Sequence, residues 1–388
     1  MMAWKKYTVE QLIDLDMLEA PMDGNHGSIH PKASDYVLTG VPFIMVNDIS
    51  NGHVDLKNCA FISEKQAATL RKGFAKPGDV LLSHKATIGR TAIVPNDFNT
   101  IILTPQITYY RVKKGINNRF LKYYFDSPNF QSLFNNWAGS GSTRAYLGIT
   151  AQRKLPIILP ELDEQIKIAD ILSSLDEKID KNNEINNNLE EQVSALYQSW
   201  FENFHLTDGV CSESWSNQDF STIAEISSGK RPPIKAESYS KETPFPIVGA
   251  ASVMGFTSEA NHKDKILVTG RVGTHGIVQR FNTPCWTSDN TLVIKSSYYE
   301  FTNQILQRID YSSMNRGSTQ PLITQGDMKK VRVLVPDAET LAKFETFAGT
   351  FMNQWETNKQ ENVKLASLRD TILPKLMSGE FDISDIDI

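Results

Sequence analysis

Two short loops in this 388-residue chain combine cations, threonine and glycine between strand-like apolar runs. Residues 84–90 read HKATIGR, between runs at 80–83 and 91–94, and residues 270–276 read GRVGTHG after a run at 266–269. Lys85, Thr87 and Arg90 in the first loop, and Arg271, Thr274 and His275 in the second, are side chains that hold phosphate oxygens or reach a base edge. The same residues would also suit a solvated hairpin tip. A polar stretch at 23–31, DGNHGSIHP, adds His26; two glycines, an asparagine and a proline make it a loop. His26 and His30 have the spacing of a helical metal pair, but Gly27 and Pro31 argue against that helix. Gly-Ser-Thr occurs at 141–143 and again at 317–319, with Arg144, Arg316 and Gln320 close by. Backbone N–H groups and the hydroxyls of Thr143 and Thr319 could cradle a phosphate there, or equally form a turn and helix cap.

Other chemistry is missing from the sequence. There is no phosphate loop ending in Gly-Lys-Ser/Thr, no His-Glu-x-x-His, no Cys-x-x-Cys and no Gly-x-Ser-x-Gly. The net charge of −5 alone argues against a nucleic-acid partner, but its distribution does not. Residues 71–154 carry 13 Lys/Arg against three Asp/Glu, and residues 226–332 carry 14 against eight. Residues 161–204 carry three Lys against 11 Asp/Glu. Two basic units separated by an acidic segment can meet phosphates locally while the chain stays soluble. Cys59, Cys211 and Cys285 have neither disulfide-framework nor metal spacing, which predicts a reducing, cytoplasmic setting. No signal peptide and no run of 18 apolar residues is present, so no membrane partner is expected.

Loops of this kind need rigid elements to position them. Across residues 160–204, Ile168, Leu172, Leu175, Ile179, Leu189, Val193, Leu196 and Trp200 alternate at spacings of four and three, the seam of a coiled coil. Asn182 and Asn186 fall on the same seam, where asparagine costs stability but fixes register. A helix of roughly 60 to 65 Å cannot bury such a stripe alone. Its partner lies in the same chain at 336–377: a shift of 176 residues places Pro160 on Pro336, Ile168 on Phe344 and Ile179 on Trp355. The same shift places Asn182 and Asn186 on Asn358 and Asn362, and aligns the Gly-Ser-Thr turns. Further pairs repeat with other offsets: Trp215 answers Trp4, residues 243–245 answer 41–43, and an aromatic helix over 299–309 answers one over 120–134. The chain reads as globular, helix, globular, helix.

In their order and duplication these motifs resemble the specificity subunit of type I restriction–modification enzymes, over essentially the whole chain. The resemblance rests on Leu159, Pro160, Glu164, Gln165, Ile168 and Ala169 at the first helix start, and on the ending Leu368, Arg369, Ile372, Leu373, Pro374, Leu376, Met377 and Gly379. The second helix start, Val335, Pro336, Thr340, Leu341, Phe344 and Glu345, departs from the Glu-Gln form. The resemblance implies an α+β chain of two similar target-recognition domains, 1–158 and 208–335. They are separated by two long conserved helices, 159–207 and 336–388, packed as an antiparallel coiled coil with pseudo-two-fold symmetry. Each domain would read half of a split site in double-stranded DNA. The first would use His26, Lys85, Thr87, Arg90, Thr143 and Arg144; the second Lys230, Arg231, Arg271, Thr274, His275, Arg316, Thr319 and Gln320. The helices would set the gap and dock two modification (methyltransferase) subunits, with restriction (endonuclease and translocase) subunits completing the complex. S-adenosylmethionine, ATP and magnesium would be held by those partners, so no catalytic residue, metal or cofactor is expected in this chain. Rival readings are a DNA-binding architectural coiled-coil protein and the specificity chain of a modification-only system.

Overall fold

The computed structural model describes residues 4–139, 145–314 and 322–381. Its contacts divide the chain into two compact units, Met1–Lys181 with Glu361–Ile388, and Asn182–Gln360. Packing therefore gives each unit a half of each long helix, whereas the sequence elements change at the helix ends.

In the first unit, strand Lys5–Thr8 pairs antiparallel with Pro156–Leu159, the strand that leads into the central helix. Thr8 caps the short helix Val9–Asp14, its hydroxyl accepting from Gln11 N–H while the Gln11 side chain returns to the Thr8 amide. A four-stranded antiparallel sheet runs in the order Thr91–Ile93, Val80–Ser83, Ile107–Tyr110, Met22–Asp23. A five-stranded sheet beside it contains a parallel pair, Val41–Ile44 with Ile101–Leu103. Val80, Leu81 and Leu82 have no exposure on either face, which explains the unbroken apolar run.

The aromatic stretch at 120–134, expected as one helix, is two: Asn118–Asp126 and Pro128–Trp137. Ser127 leaves helical geometry and its hydroxyl caps the second helix, whose first residue is Pro128. Proline fits that position because it has no N–H to leave unpaired, but it cannot continue a helix from behind. The rings of Phe125, Phe130 and Phe134 then follow one another at 4.7 and 5.6 Å in the core.

The second unit repeats the plan. Ser216–Asp219 pairs with Arg332–Val335, which leads into the distal helix. Its four-stranded sheet runs Glu225–Ser228, Thr291–Lys295, Ile266–Gly270, Gln279–Phe281, and its three-stranded sheet again holds a parallel pair, Phe245–Val248 with Trp286–Thr287. The second aromatic helix spans Tyr299–Arg308.

The central helix runs Leu162–Tyr197 and closes in a π turn, Gln198–Glu202; the distal helix runs Ala338–Met377. The two helices are antiparallel within each unit. In the first, the Asp176 carboxylate accepts from Arg369 at 2.7 Å, and Lys178 pairs with Glu361 at 3.4 Å. In the second, Asn186 donates to the Trp355 carbonyl at 3.2 Å, and the Trp200 ring meets Phe344 at 6.0 Å. Every predicted seam position of the central helix is buried or half-buried, Asn182 and Asn186 included.

Each sheet unit is fastened to its helices by polar contacts. Trp4 donates to Glu164 at 3.2 Å and Trp215 donates to Asp337 at 3.0 Å, so both opening tryptophans mark a helix start. Arg119 bonds Asp170 at 2.6 Å and Tyr123 bonds Asp176 at 2.6 Å in the first unit. In the second, the Glu345 carboxylate accepts from the N–H groups of Glu300 and Phe301, at the start of the aromatic helix. No described helix is long and apolar enough to cross a membrane.

Candidate nucleic-acid interface

Residues 84–90 form the tip of the hairpin made by Val80–Ser83 and Thr91–Ile93, as the sequence predicts. Ala86 holds φ +64° there, a left-handed conformation that costs an L residue about 1–2 kcal/mol. The tip is braced from two sides. Ala86 N–H donates to the Ala145 carbonyl at 3.1 Å, and Leu147 N–H donates to the His84 carbonyl at 3.0 Å. Arg90 turns its Nη1 onto the carbonyls of Val46 and Ile49, both at 3.0 Å, so its placement serves the loop. Lys85 and Thr87 stay exposed, with the Lys85 ammonium 6.0 Å from the Tyr146 ring centre.

Beside this tip lies a cleft of about 550 Å³, lined by His26, His30, Asn47, Lys85, Thr87 and Gln106 among others. It brings together three of the predicted contacts: His26, Lys85 and Thr87. Asp23 anchors the His26 loop. Burial works against its charge, but hydrogen bonds from Lys72 and His26 outweigh that and hold its carboxyl below the usual range. His26 Nε2–H donates to Asp23 at 2.8 Å, and the His30 ring packs on Phe43 at 5.5 Å. Both histidines thus have other roles, and no cluster of three metal-ligating side chains exists among the described residues. His84, the first residue of the tip, is fully buried. Burial pushes its imidazole down to about 4, and its Nδ1–H donates to the Leu147 carbonyl at 3.1 Å.

Hydrogen bonding sets the register between the two tips. His84 N–H donates to the Gln106 carbonyl at 2.9 Å; Arg271 N–H donates to the Asn290 carbonyl at 2.8 Å. Ile323 N–H donates to the Arg271 carbonyl at 3.0 Å, as Leu147 does to His84. Arg271 therefore takes the position of His84, a different register from the one simple loop alignment suggests. Thr274 is exposed on this tip, and His275 Nδ1–H donates back to the Gly270 carbonyl at 3.1 Å.

A second correspondence links His26 to Lys230 and Arg231. Gly24 follows strand Met22–Asp23, and Gly229 follows strand Glu225–Ser228. A Cβ on Gly24 would sit 1.9 Å from the Leu103 carbonyl oxygen, and one on Gly229 would sit 2.1 Å from that of Ser288. Only glycine permits so close an approach. Both loops leave the sheet at matching places, with His26 on one and the exposed Lys230 and Arg231 on the other.

Thr143, Arg144, Arg316, Thr319 and Gln320, and with them the Gly-Ser-Thr turns, lie outside the described residues. Sequence reasoning missed Asn47 and Gln106 as cleft residues. Their only available signal was residue type, since carboxamides are base readers, and nothing local in the sequence places either beside His26.

Residues 3–191 and 213–366 match the family model described as the type I restriction modification DNA specificity domain. The type I restriction enzyme MjaIX specificity subunit of Methanocaldococcus jannaschii is 25% identical, covering 92% of this chain and 90% of that protein. The HindI specificity subunit of Haemophilus influenzae is 22% identical, covering 88% and 94%. Among solved structures, the S subunit of a type I restriction–modification system from M. genitalium shares the fold with a TM-score of 0.57, at 15% identity and 96% coverage of each chain.

Proposed function

Because this chain belongs to the family of type I restriction–modification DNA specificity subunits, we propose that each of its two units reads one half of a split, asymmetric DNA sequence. One observation carries this reading: the same tip and neighbouring loop are built twice, on the same backbone hydrogen bonds, with different side chains. A shared frame with changed side chains is what two readers of unlike half-sites require. Lys85, Lys230 and Arg231 are exposed cations suited to phosphates, which position the chain, while side chains inside the cleft specify bases.

The antiparallel helices hold the readers and set the number of unread base pairs between half-sites, as subunit geometry does in dimeric readers. The outer faces of these helices, acidic along the central one, dock two modification subunits, which flip and methylate adenine in each half-site. Restriction subunits join for translocation and cleavage. S-adenosylmethionine, ATP and magnesium reside on those partners, and this chain contributes recognition rather than a reacting group.

The test is methylome sequencing of a host that carries the neighbouring methyltransferase gene, with and without this gene. N6-methyladenine at a split motif with a fixed gap, present only with this gene, is the expected result. An assembled complex that yields no such motif would overturn the reading in favour of an architectural DNA-binding role.

A further inference from the structure

Gln106 and Asn290 occupy one structural position in the two units. Each lies two residues past a residue whose N–H closes the parallel strand pair. Thr104 N–H donates to the Ile44 carbonyl and Ser288 N–H to the Val248 carbonyl, both at 3.0 Å. Each then offers its own carbonyl to the node residue of the tip, His84 or Arg271. The backbone thus fixes where both side chains begin, independently of what they are.

Gln106 lines the 550 Å³ cleft with His26, Lys85 and Thr87. Neither carboxamide hydrogen-bonds to any described residue, so neither is occupied in holding the fold. Around the cleft the Lys85 ammonium and the Thr87 and Thr104 hydroxyls suit phosphates or several bases equally, and His26 and His30 are held by Asp23 and Phe43; the carboxamides are Asn47 and Gln106. A carboxamide differs: it offers one donor and one acceptor side by side, the complement of adenine N7 and N6 in the major groove. A carboxamide stands at both copies of this position although the residues on either side differ, Pro105 against Asp289 and Ile107 against Thr291.

Resting on the split-site reading above, we infer that Gln106 and Asn290 are matched base-reading residues, one per half-site, each addressing an adenine that stays stacked in the duplex. Removing either relaxes one base position of one half-site and leaves the other half-site unchanged.

The experiment is methylome sequencing of a host expressing the complete complex with wild-type chain, Gln106→Ala, Gln106→Glu or Asn290→Ala. The wild type is expected to yield a split motif with an A·T pair at one required position in each half. Gln106→Ala should spread methylation to sites that differ at that one position, with discrimination there falling about five- to a hundredfold. Asn290→Ala should do the same in the other half-site. Gln106→Glu keeps the shape but loses the donor, and should shift preference from adenine towards cytosine, so the inference stays testable where the alanine variant fails to fold. An unchanged motif in all three variants, or a uniform loss across every position of a half-site, would overturn the inference. A wild-type complex that gives no split motif would instead sink the half-site reading itself.

Discussion

The side-chain amide of Asn358 donates to the side-chain carbonyl of Asn186 at 2.9 Å, with both residues only 5% exposed at the helix seam. Asn186 spends its own N–H on the Trp355 carbonyl, and Asn362 makes the corresponding bond to the Ile179 carbonyl. These bonds form only in one register. Replacing one partner leaves a buried amide group unsatisfied, at about 1–3 kcal/mol. Asn358→Leu should therefore lower the unfolding midpoint, whereas Asn186→Leu with Asn358→Leu should cost less than the sum of the two single changes. A double-mutant cycle by chemical denaturation measures this, and strict additivity would show that the pair does not couple.

Asp176 joins three elements of the first unit, accepting from Tyr123 at 2.6 Å and Arg369 at 2.7 Å, with Lys122 at 3.7 Å. Burial opposes its charge, but the Tyr123 and Arg369 hydrogen bonds outweigh that and lower its pKa. A carboxylate with a depressed folded pKa contributes stability above the unfolded value of about 4, and that contribution is lost as pH falls through the folded value. Asp176→Asn should cost about 2–4 kcal/mol at neutral pH by leaving Arg369 without this partner. The gap between wild type and variant should close as the pH is taken below about 4. A constant gap from pH 7 to pH 3 would count against the ionic role.

How far such features can be read from sequence depends on range. The helices, the 176-residue shift and the four seam asparagines rest on local periodicity, and periodicity survives into structure because packing obeys it. The break at Ser127 and Pro128 was also legible, since serine before proline is a helix-start signal, but the density of aromatic residues masked it. The cleft was legible only in part. His26, Lys85 and Gln106 meet through strand pairings between residues tens of positions apart, and no local pattern encodes those pairings. The register of the second tip depends on hydrogen bonds from Arg271 and Ile323, which alignment of two dissimilar loops could not supply.

His84 makes the stability of the first unit depend on pH. Burial pushes it down to about 4, so between that value and the ordinary value near 6.5 the unfolded chain binds a proton that the folded chain refuses. Stability should fall as pH drops through about 6.5 and level off near 4, a loss on the order of 2 kcal/mol between pH 7 and pH 5. His84→Gln should flatten that slope. Chemical denaturation of wild type and variant at pH 7 and pH 5 checks it, and identical pH dependence would place the proton elsewhere.

Lys85 and Arg231 stand exposed on the two readers, one on a hairpin tip and one on the loop after a glycine-dependent strand exit. A cation that touches a phosphate releases condensed counterions from DNA, so removing it should reduce the slope of log affinity against log salt by about 0.9. Lys85→Ala and Arg231→Ala, each in the complex with modification subunits proposed above, should each lower the slope by that amount. The loss should be equal on cognate and unrelated duplexes, because phosphate contacts carry no base information. Fluorescence anisotropy between 50 and 200 mM salt, a range chosen to resolve about one unit of slope, gives the answer. A slope left intact, with affinity lost only on the cognate duplex, would make the residue a base reader instead, and would move the boundary between positioning and reading from the cleft out to its rim.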